Sequence, residues 1–470
     1  MAYSVGLVNL GCAKNQVDGE RMLAALRDAG FSIRADASRA DAAIVNTCGF
    51  ITAAKREAID EILELARLKK EGRIRALIVT GCLAERYRWQ VKKELPEVDA
   101  VAGIGADGDI VSVVRDALAG ADGGGQSFPE KTLLPLEGGR MLLSPRWSVY
   151  LKIAEGCDNR CSYCAIPMIR GRYRSRTMES VEAEARTLAA GGAKELVLVA
   201  QDTTRYGTDL YGRLMLPELL RRLCGIDGVE WIRVLYGYPD AVTDELLETI
   251  AGEEKIVKYF DLPLQHCDAE ILRSMGRGGG RRETEALIRK MRAAVPGLVL
   301  RTTLIAGYPG ETEAQFDELC SFVREMRFER LGCFAYSQEE GTRAAELPGQ
   351  LDEEEKDRRA RFVTEMQMGI MQEQSERLAG RTFRVLTEGY DRGARRWFGR
   401  SYRDAPDVDG KVWFRGRRPA ARRRPALGRS PIPRWPPAPG QFVEVKITGC
   451  FDGDPAGEIL EQEERHESAE

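Results

Sequence analysis

Three short apolar runs that carry Val or Ile, residues 5–10, 42–46 and 76–80, punctuate the N-terminal part of the chain, and each is followed by a turn and a helical pattern. Met22, Leu23 and Leu26 recur at helical spacing and predict a helix over 17–29. Ala58, Ile59, Ile62 and Leu65 predict one apolar face of a second helix over 53–68. Strands alternating with helices in this way predict an α/β doubly wound parallel sheet.

Between residues 119 and 146 the composition changes to Gly-Ala-Asp-Gly-Gly-Gly, then prolines and scattered polar residues, which is linker composition. Beyond it the alternation restarts. Strand-like segments at 149–153, 195–200, 231–235, 258–262, 299–305 and 331–335 are separated by amphipathic helices, among them 179–190, 217–223, 283–294 and 314–326. Six β/α units predict a partial (β/α)6 barrel, with its chemistry at the C-terminal ends of the strands. A long charged helix over 352–378 leads away from this core. Short strand candidates at 383–387, 397–402, 412–414 and 442–447 then predict a small all-β module. From Asp452 eight acidic side chains stand against one arginine, the composition of a solvated tail. The division expected is a sheet domain over 1–120, a linker over 121–146, a barrel core over 147–379, a β domain over 380–450 and an acidic tail over 451–470.

At 470 residues the chain exceeds a single compact core, in keeping with several domains. Its 43% hydrophobic and 30% charged residues are those of a globular protein, and no apolar run approaches a membrane span. The N-terminal residues carry neither a basic stretch nor a small-residue cleavage site, so a cytoplasmic location is expected. Eleven cysteines in a reducing compartment point to metal or redox use rather than disulfides. With only two histidines, His266 and His466, any metal would sit on thiolate. The net charge of −3 gives no general drive toward nucleic acid.

Cys157, Cys161 and Cys164 form a Cys-x3-Cys-x2-Cys triplet directly after the first barrel strand. Three thiolates on a [4Fe–4S] cube leave one iron open for a substrate. The same spacing fits half of a structural zinc site, although no fourth Cys or His is near. Cys12, Cys48 and Cys82 each follow a strand of the first sheet, and the C-terminal ends of parallel strands converge on one crevice. They could hold a second cube, or each could be an ordinary small buried residue. Cys224, Cys267, Cys320, Cys333 and Cys450 read as structural.

On these residues the chain resembles the methylthiotransferases, radical S-adenosylmethionine (SAM) enzymes with a flavodoxin-like domain, a barrel and a C-terminal TRAM domain. The resemblance rests on Leu10-Gly11-Cys12-Ala13-Lys14-Asn15, Asn46-Thr47-Cys48-Gly49-Phe50-Ile51, Val79-Thr80-Gly81-Cys82, the stretch from Tyr150 to Cys157, Gln201-Asp202-Thr203 and Gly307-Tyr308-Pro309-Gly310-Glu311-Thr312. It implies two [4Fe–4S] clusters, SAM as radical source and methyl donor, and a cofactor-side role for Tyr163, the aromatic residue before the third cysteine. It also implies an external electron donor. Within the family, Gly-Cys-Ala-Lys-Asn, the stretch from Asp261 to His266, and Gly399-Arg400-Ser401 with Ala405-Pro406 are similar to the branch that modifies an aspartate of small-subunit ribosomal protein twelve. The partner implied is that protein or the assembled ribosomal subunit. The competing branch modifies a tRNA adenosine.

Residues 411–434 hold nine basic and no acidic side chains, with five prolines by Pro436. This is a solvated Pro/Arg insertion or a contact for ribosomal RNA. His266, at the end of a barrel strand, is a candidate substrate contact or a hydrogen-bonded packing residue. Gly276-Arg277-Gly278-Gly279-Gly280 follows a helix, so a turn is expected rather than a phosphate loop.

Overall fold

The structure is a computed structural model that describes residues 3–106, 108–120, 125–133, 136–416 and 437–460. Six strands form the first sheet: β1 (Ser4–Asn9), β2 (Ser32–Arg34), β3 (Ala42–Thr47), β4 (Ala76–Gly81), β5 (Ala100–Ala102) and β6 (Gln126–Ser127). They lie parallel in the order β2-β1-β3-β4-β5-β6. The order reverses between β1 and β3, the crevice where such sheets bind ligands. Both faces are covered. Val5, Ile44 and Ile78 pack to one side, and Ala43, Val45, Leu77 and Val79 to the other.

The helix Thr52–Lys70 buries Ala58, Ile62 and Leu65 but leaves Ile59 exposed. Ile59 therefore departs from the expected face, because a helical step of about 100° carries the residue after Ala58 off the buried stripe. The stretch expected as a linker is also anchored. Its Gln126–Ser127 adds a strand to the sheet, and Arg140 donates to Glu20, Glu184 and the Tyr150 carbonyl.

The second sheet holds β7 (Ser148–Lys152), β10 (Glu195–Val199), β11 (Trp231–Val234), β12 (Ile256–Asp261), β13 (Val299–Ala306) and β14 (Arg330–Ala335). Neighbours are parallel and in chain order, with β7 and β14 at the two edges, so the barrel is open. Two short antiparallel strands, β8 (Ala154–Glu155) and β9 (Arg174–Ser175), bracket the loop that carries Cys157, Cys161 and Cys164.

A closed barrel of β15 (Thr382–Asp391), β16 (Arg396–Arg400), β17 (Val412–Arg415), β19 (Asp454–Ile459) and β18 (Phe442–Phe451) completes the chain. Residues 454–459, assigned to the acidic tail from sequence, are instead its closing strand. They pair antiparallel with β18 and parallel with β17, and Ala456 packs inward. Of the basic insertion, 417–436 fall outside the described residues, as do 461–470 of the tail. No described helix is long and apolar enough to cross a membrane.

Arg400 fastens this small barrel to the large one. Its Nη2 donates to Glu195 Oε2 at 2.7 Å, and Arg233 Nε donates to Glu195 Oε1 at 2.9 Å, all three residues being buried. Burial opposes ionisation of Glu195, but Arg400 and Arg233 outweigh it and hold the carboxyl down to about 2. A carboxyl depressed on folding adds stability above its unfolded pKa and loses it as pH falls. Thermal unfolding followed against pH should therefore show a fall in stability between about pH 4.5 and 2 that Glu195→Gln removes.

Candidate functional site

The register of the first sheet aligns Asn9 with Asn46, Asn46 with Thr80, and Thr47 with Gly81. Cys12, Cys48 and Cys82 therefore leave three neighbouring strands at the same edge. Two glycines let them close up. A Cβ on Gly11, whose φ is +89°, would lie 2.8 Å from Cys48 Cβ, and one on Gly49 would lie 2.6 Å from Leu83 N, beside Cys82. Cys12 caps the helix Ala13–Asp28. Burial opposes ionisation of its thiol, but Lys14 and Arg170 outweigh it and lower the pKa. Burial pushes the Cys48 thiol up and the Cys82 thiol to about 12, and each of these also feels the charge of Cys12.

In the other loop the backbone is tied from both sides. Cys157 N–H donates to the Gly171 carbonyl at 3.1 Å, Ser162 N–H to Met275 at 2.8 Å, and Cys164 N–H to Cys161 at 3.1 Å. Gly156 has a φ of +78°, and a Cβ there would fall 2.0 Å from the Arg172 carbonyl oxygen, so only glycine fits. Burial raises Cys157 to about 11 and Cys164 to about 12, and both thiols feel Cys161. An open groove lined by Cys157, Asp158, Asn159, Arg160, Pro167 and Arg172 faces solvent beside the loop.

Tyr163 Oη accepts from Arg277 Nη1 at 3.1 Å, and the same nitrogen lies 4.0 Å from Cys161 Sγ. Arg277 also covers the Tyr238 ring, whose hydroxyl is 3.9 Å from Cys161 Sγ. The glycine-rich stretch at 276–280 is thus a turn that aims one guanidinium at the cysteine loop.

The segment that follows the second cysteine set packs against the first. Cys82 packs with Ala165 and Ile169, from the segment that follows Cys164. Arg170 Nη2 donates to Cys82 Sγ at 3.5 Å and to Asn15 Oδ1 at 3.3 Å, while Nη1 donates to Asp18 Oδ2 and Glu155 Oε1, both at 3.0 Å. Lys152 pairs with Asp18 and Glu155, and Glu155 accepts from Gly156 N–H and Gln201. Opposite, Lys14 Nζ lies 3.2 Å from the centroid of the Tyr236 ring, just past β11.

Among the described residues no three His, Cys, Asp or Glu side chains close on one metal ion. The donor chemistry is nevertheless that of a cube, which takes one thiolate per iron rather than three on a single ion. Each site offers three free thiols.

His266 is fully buried. Its Nδ1 accepts the Asp268 N–H at 3.0 Å, its Nε2 lies 3.9 Å from Glu311 Oε2, and burial lowers its pKa to about 4. Of the remaining cysteines, Cys267 and Cys320 are buried, Cys224 and Cys333 half-buried, and Cys450 exposed. Arg170, Arg277, Lys14 and Tyr236 were not singled out as site residues from sequence. Lys14 had a signal in its place within the motif around Cys12, and Arg277 in the glycine-rich stretch read only as a turn.

Comparison with known proteins matches residues 4–103 to the uncharacterized protein family UPF0004, 151–323 to the radical SAM superfamily and 379–460 to the TRAM domain. A protein of Desulforamulus reducens named ribosomal protein uS12 methylthiotransferase RimO is 45% identical over 97% of this chain and all of the relative. One of the same name from Pelotomaculum thermopropionicum is 46% identical over 98% of this chain and all of the relative. Among solved structures, the radical SAM methyltransferase TsrM of Kitasatospora setae, with cobalamin and a [4Fe–4S] cluster bound, superposes with a TM-score of 0.54 at 16% identity. It covers 71% of this chain and 75% of its own and shows the shared fold. From its full-length identity to these relatives and its radical SAM and TRAM regions, the chain belongs to the RimO family of radical SAM methylthiotransferases, enzymes that work with iron–sulfur and SAM.

Proposed function

We propose that this chain replaces a hydrogen on the β-carbon of an aspartate in ribosomal protein uS12 with a methylthio group. It uses two [4Fe–4S] clusters, one on Cys157, Cys161 and Cys164 and one on Cys12, Cys48 and Cys82. Such a carbon has neither an accessible pKa nor a leaving group, so acid, base or nucleophile alone cannot substitute it, and radical chemistry is required. The relatives' name supplies the protein substrate, and the likeness of the sequence motifs supplies the aspartate.

The observation that carries the two-cluster reading is the packing of Cys82 on Ala165 and Ile169, with Arg170 donating to its sulfur. It puts the dispersed thiols beside the loop that holds the other three. Cys157, Cys161 and Cys164 would hold a cluster that would supply the electron for reductive cleavage of SAM, and Cys12, Cys48 and Cys82 one that would supply sulfur, with a further SAM as methyl donor. The chain's own residues position and screen. Glu155 holds the Gly156 N–H and so fixes the start of the cysteine loop. Arg277 places a positive charge beside Cys161 and Tyr163. The groove beside Cys157 leaves that edge open to an external one-electron donor. A ribosomal substrate puts this work in the cytoplasm.

The test compares the mass of uS12 and the nucleosides of tRNA from cells with and without the enzyme. A methylthio gain on uS12 that depends on the enzyme is expected. Unchanged uS12 together with a lost methylthio-adenosine would replace this reading with tRNA modification.

A further inference from the structure

Cys157 forms part of the wall of the open groove that runs past Arg160, Pro167 and Arg172. A second open groove, reaching Arg88, Phe128 and Lys131, meets it at Gly171 and Arg172. Basic side chains outnumber acidic ones on this face, with Arg88, Lys131, Arg160, Arg172 and Arg174 against Asp158 and Glu130. Arg172 pairs with Asp158 at 3.3 Å, but the two side chains are 83% and 46% exposed, so the pair is weak and open to the charges of a partner.

A ring of contacts closes around the groove. Arg343 Nη2 donates to the Arg160 carbonyl at 2.6 Å, and a Cβ on Gly341 would lie 3.4 Å from Met168 Sδ. Lys131 Nζ donates to the Met168 carbonyl at 2.9 Å, and a Cβ on Gly171 would lie 3.3 Å from Lys131 Cδ. Within the ring runs the short helix Ile166–Arg170. Ala165 and Ile169 pack on Cys82, toward the other cysteine set, whereas Met168 is turned outward and 47% exposed. An apolar centre at Pro167 and Met168 inside a cationic rim has the anatomy of a protein interface.

We propose that this face docks an acidic one-electron carrier protein that reduces the cube on Cys157, Cys161 and Cys164. This rests on the assignment of a SAM-cleaving cluster to those cysteines. One electron leaves the reduced carrier and enters the cube, with no bond made and no proton moved. Such a step needs only a brief encounter, and redox complexes bury little surface. Opposite charge speeds the encounter and sets its orientation, while the wall formed by Cys157 stands the carrier against a cluster ligand. Ribosomal RNA is the other anion that the arginines could draw, but contacts to phosphate make no use of the apolar centre.

The test titrates the reconstituted full-length enzyme with a plant-type [2Fe–2S] ferredoxin, an acidic carrier, and follows binding by calorimetry beside release of 5′-deoxyadenosine. Binding should weaken as salt rises. Arg172→Glu combined with Arg343→Glu should weaken it on the order of 10–100-fold and slow ferredoxin-driven release to match, whereas Arg172→Lys with Arg343→Lys should keep most of both. Photoreduced 5-deazariboflavin, small and uncharged, reads the cluster without a docking face. Ferredoxin binding that ignores salt or survives the charge reversal would overturn the proposal. So would a reversal variant equally slow with deazariboflavin, which would assign the arginines to holding the cysteine loop. A variant that keeps ferredoxin binding but loses modification of uS12 in the ribosomal subunit would give the face to ribosomal RNA instead. Wild-type enzyme that cleaves SAM with neither reductant would strike the cluster assignment itself.

Discussion

Alanine at Cys157, Cys161 and Cys164 together is expected to abolish SAM cleavage, whereas alanine at Cys12, Cys48 and Cys82 is expected to leave cleavage intact and stop methylthiolation. The asymmetry follows from how each set is held. The Cys157 loop is fixed by its own backbone bonds to Gly171 and Met275 and by the β8–β9 pair, none of which belongs to the first sheet. Arg170, which follows the Cys164 segment and donates to the Cys82 sulfur, keeps Asp18 and Glu155 as partners when that sulfur is removed. Release of 5′-deoxyadenosine measures the first function, and the mass of uS12 measures the second. Iron per chain should fall from about eight to about four in either variant. Full cleavage by the protein lacking Cys157, Cys161 and Cys164 would contradict the assignment.

The parallel strands were legible because their apolar runs are continuous and their helices are long enough to show a period. Strands β2, β5 and β6, each of two or three residues, are too short for either signal. Strand β19 was missed for another reason. Its flanks are acidic, and what makes it a strand is pairing with β17 and β18 in the closed barrel, a tertiary effect invisible in local composition. Ile59 was misplaced because one position of a helical face was taken too broadly.

The cysteines stand out in the sequence for two distinct reasons, tight spacing in one set and equivalent positions after three strands in the other. The cations around them were not. Arg170 is one arginine among several in Ile169-Arg170-Gly171-Arg172-Tyr173-Arg174, and only the fold shows that it turns inward while Arg172 points to solvent. Lys14 and Tyr236 lie far apart in the chain and acquire meaning only by meeting. Charged residues reveal a role through what they face, and the facing residue is set by topology.

Arg170→Met is expected to be among the most destabilising single substitutions in the chain. Arg170 is 1% exposed and divides its donors between Asp18 and Asn15 of the first domain, Glu155 of the barrel and the Cys82 sulfur. Methionine fills much of the same volume but leaves Lys152 as the one cation that Glu155 and Asp18 share among the described residues. Breaking a buried ion network by removing one partner costs about 3–5 kcal/mol, because the remaining charges stay desolvated. Arg170→Lys should recover only part of this, since one ammonium cannot match a planar fork that serves four acceptors. Denaturant unfolding of the cluster-free chain measures the loss without interference from metal. The loss should be concentrated at the junction, so proteolysis of the native protein should also quicken between the first domain and the barrel. A loss below about 1 kcal/mol would mean that Lys152 and Gln201 suffice to hold Glu155 and Asp18, and that Arg170 serves the Cys82 sulfur rather than the fold.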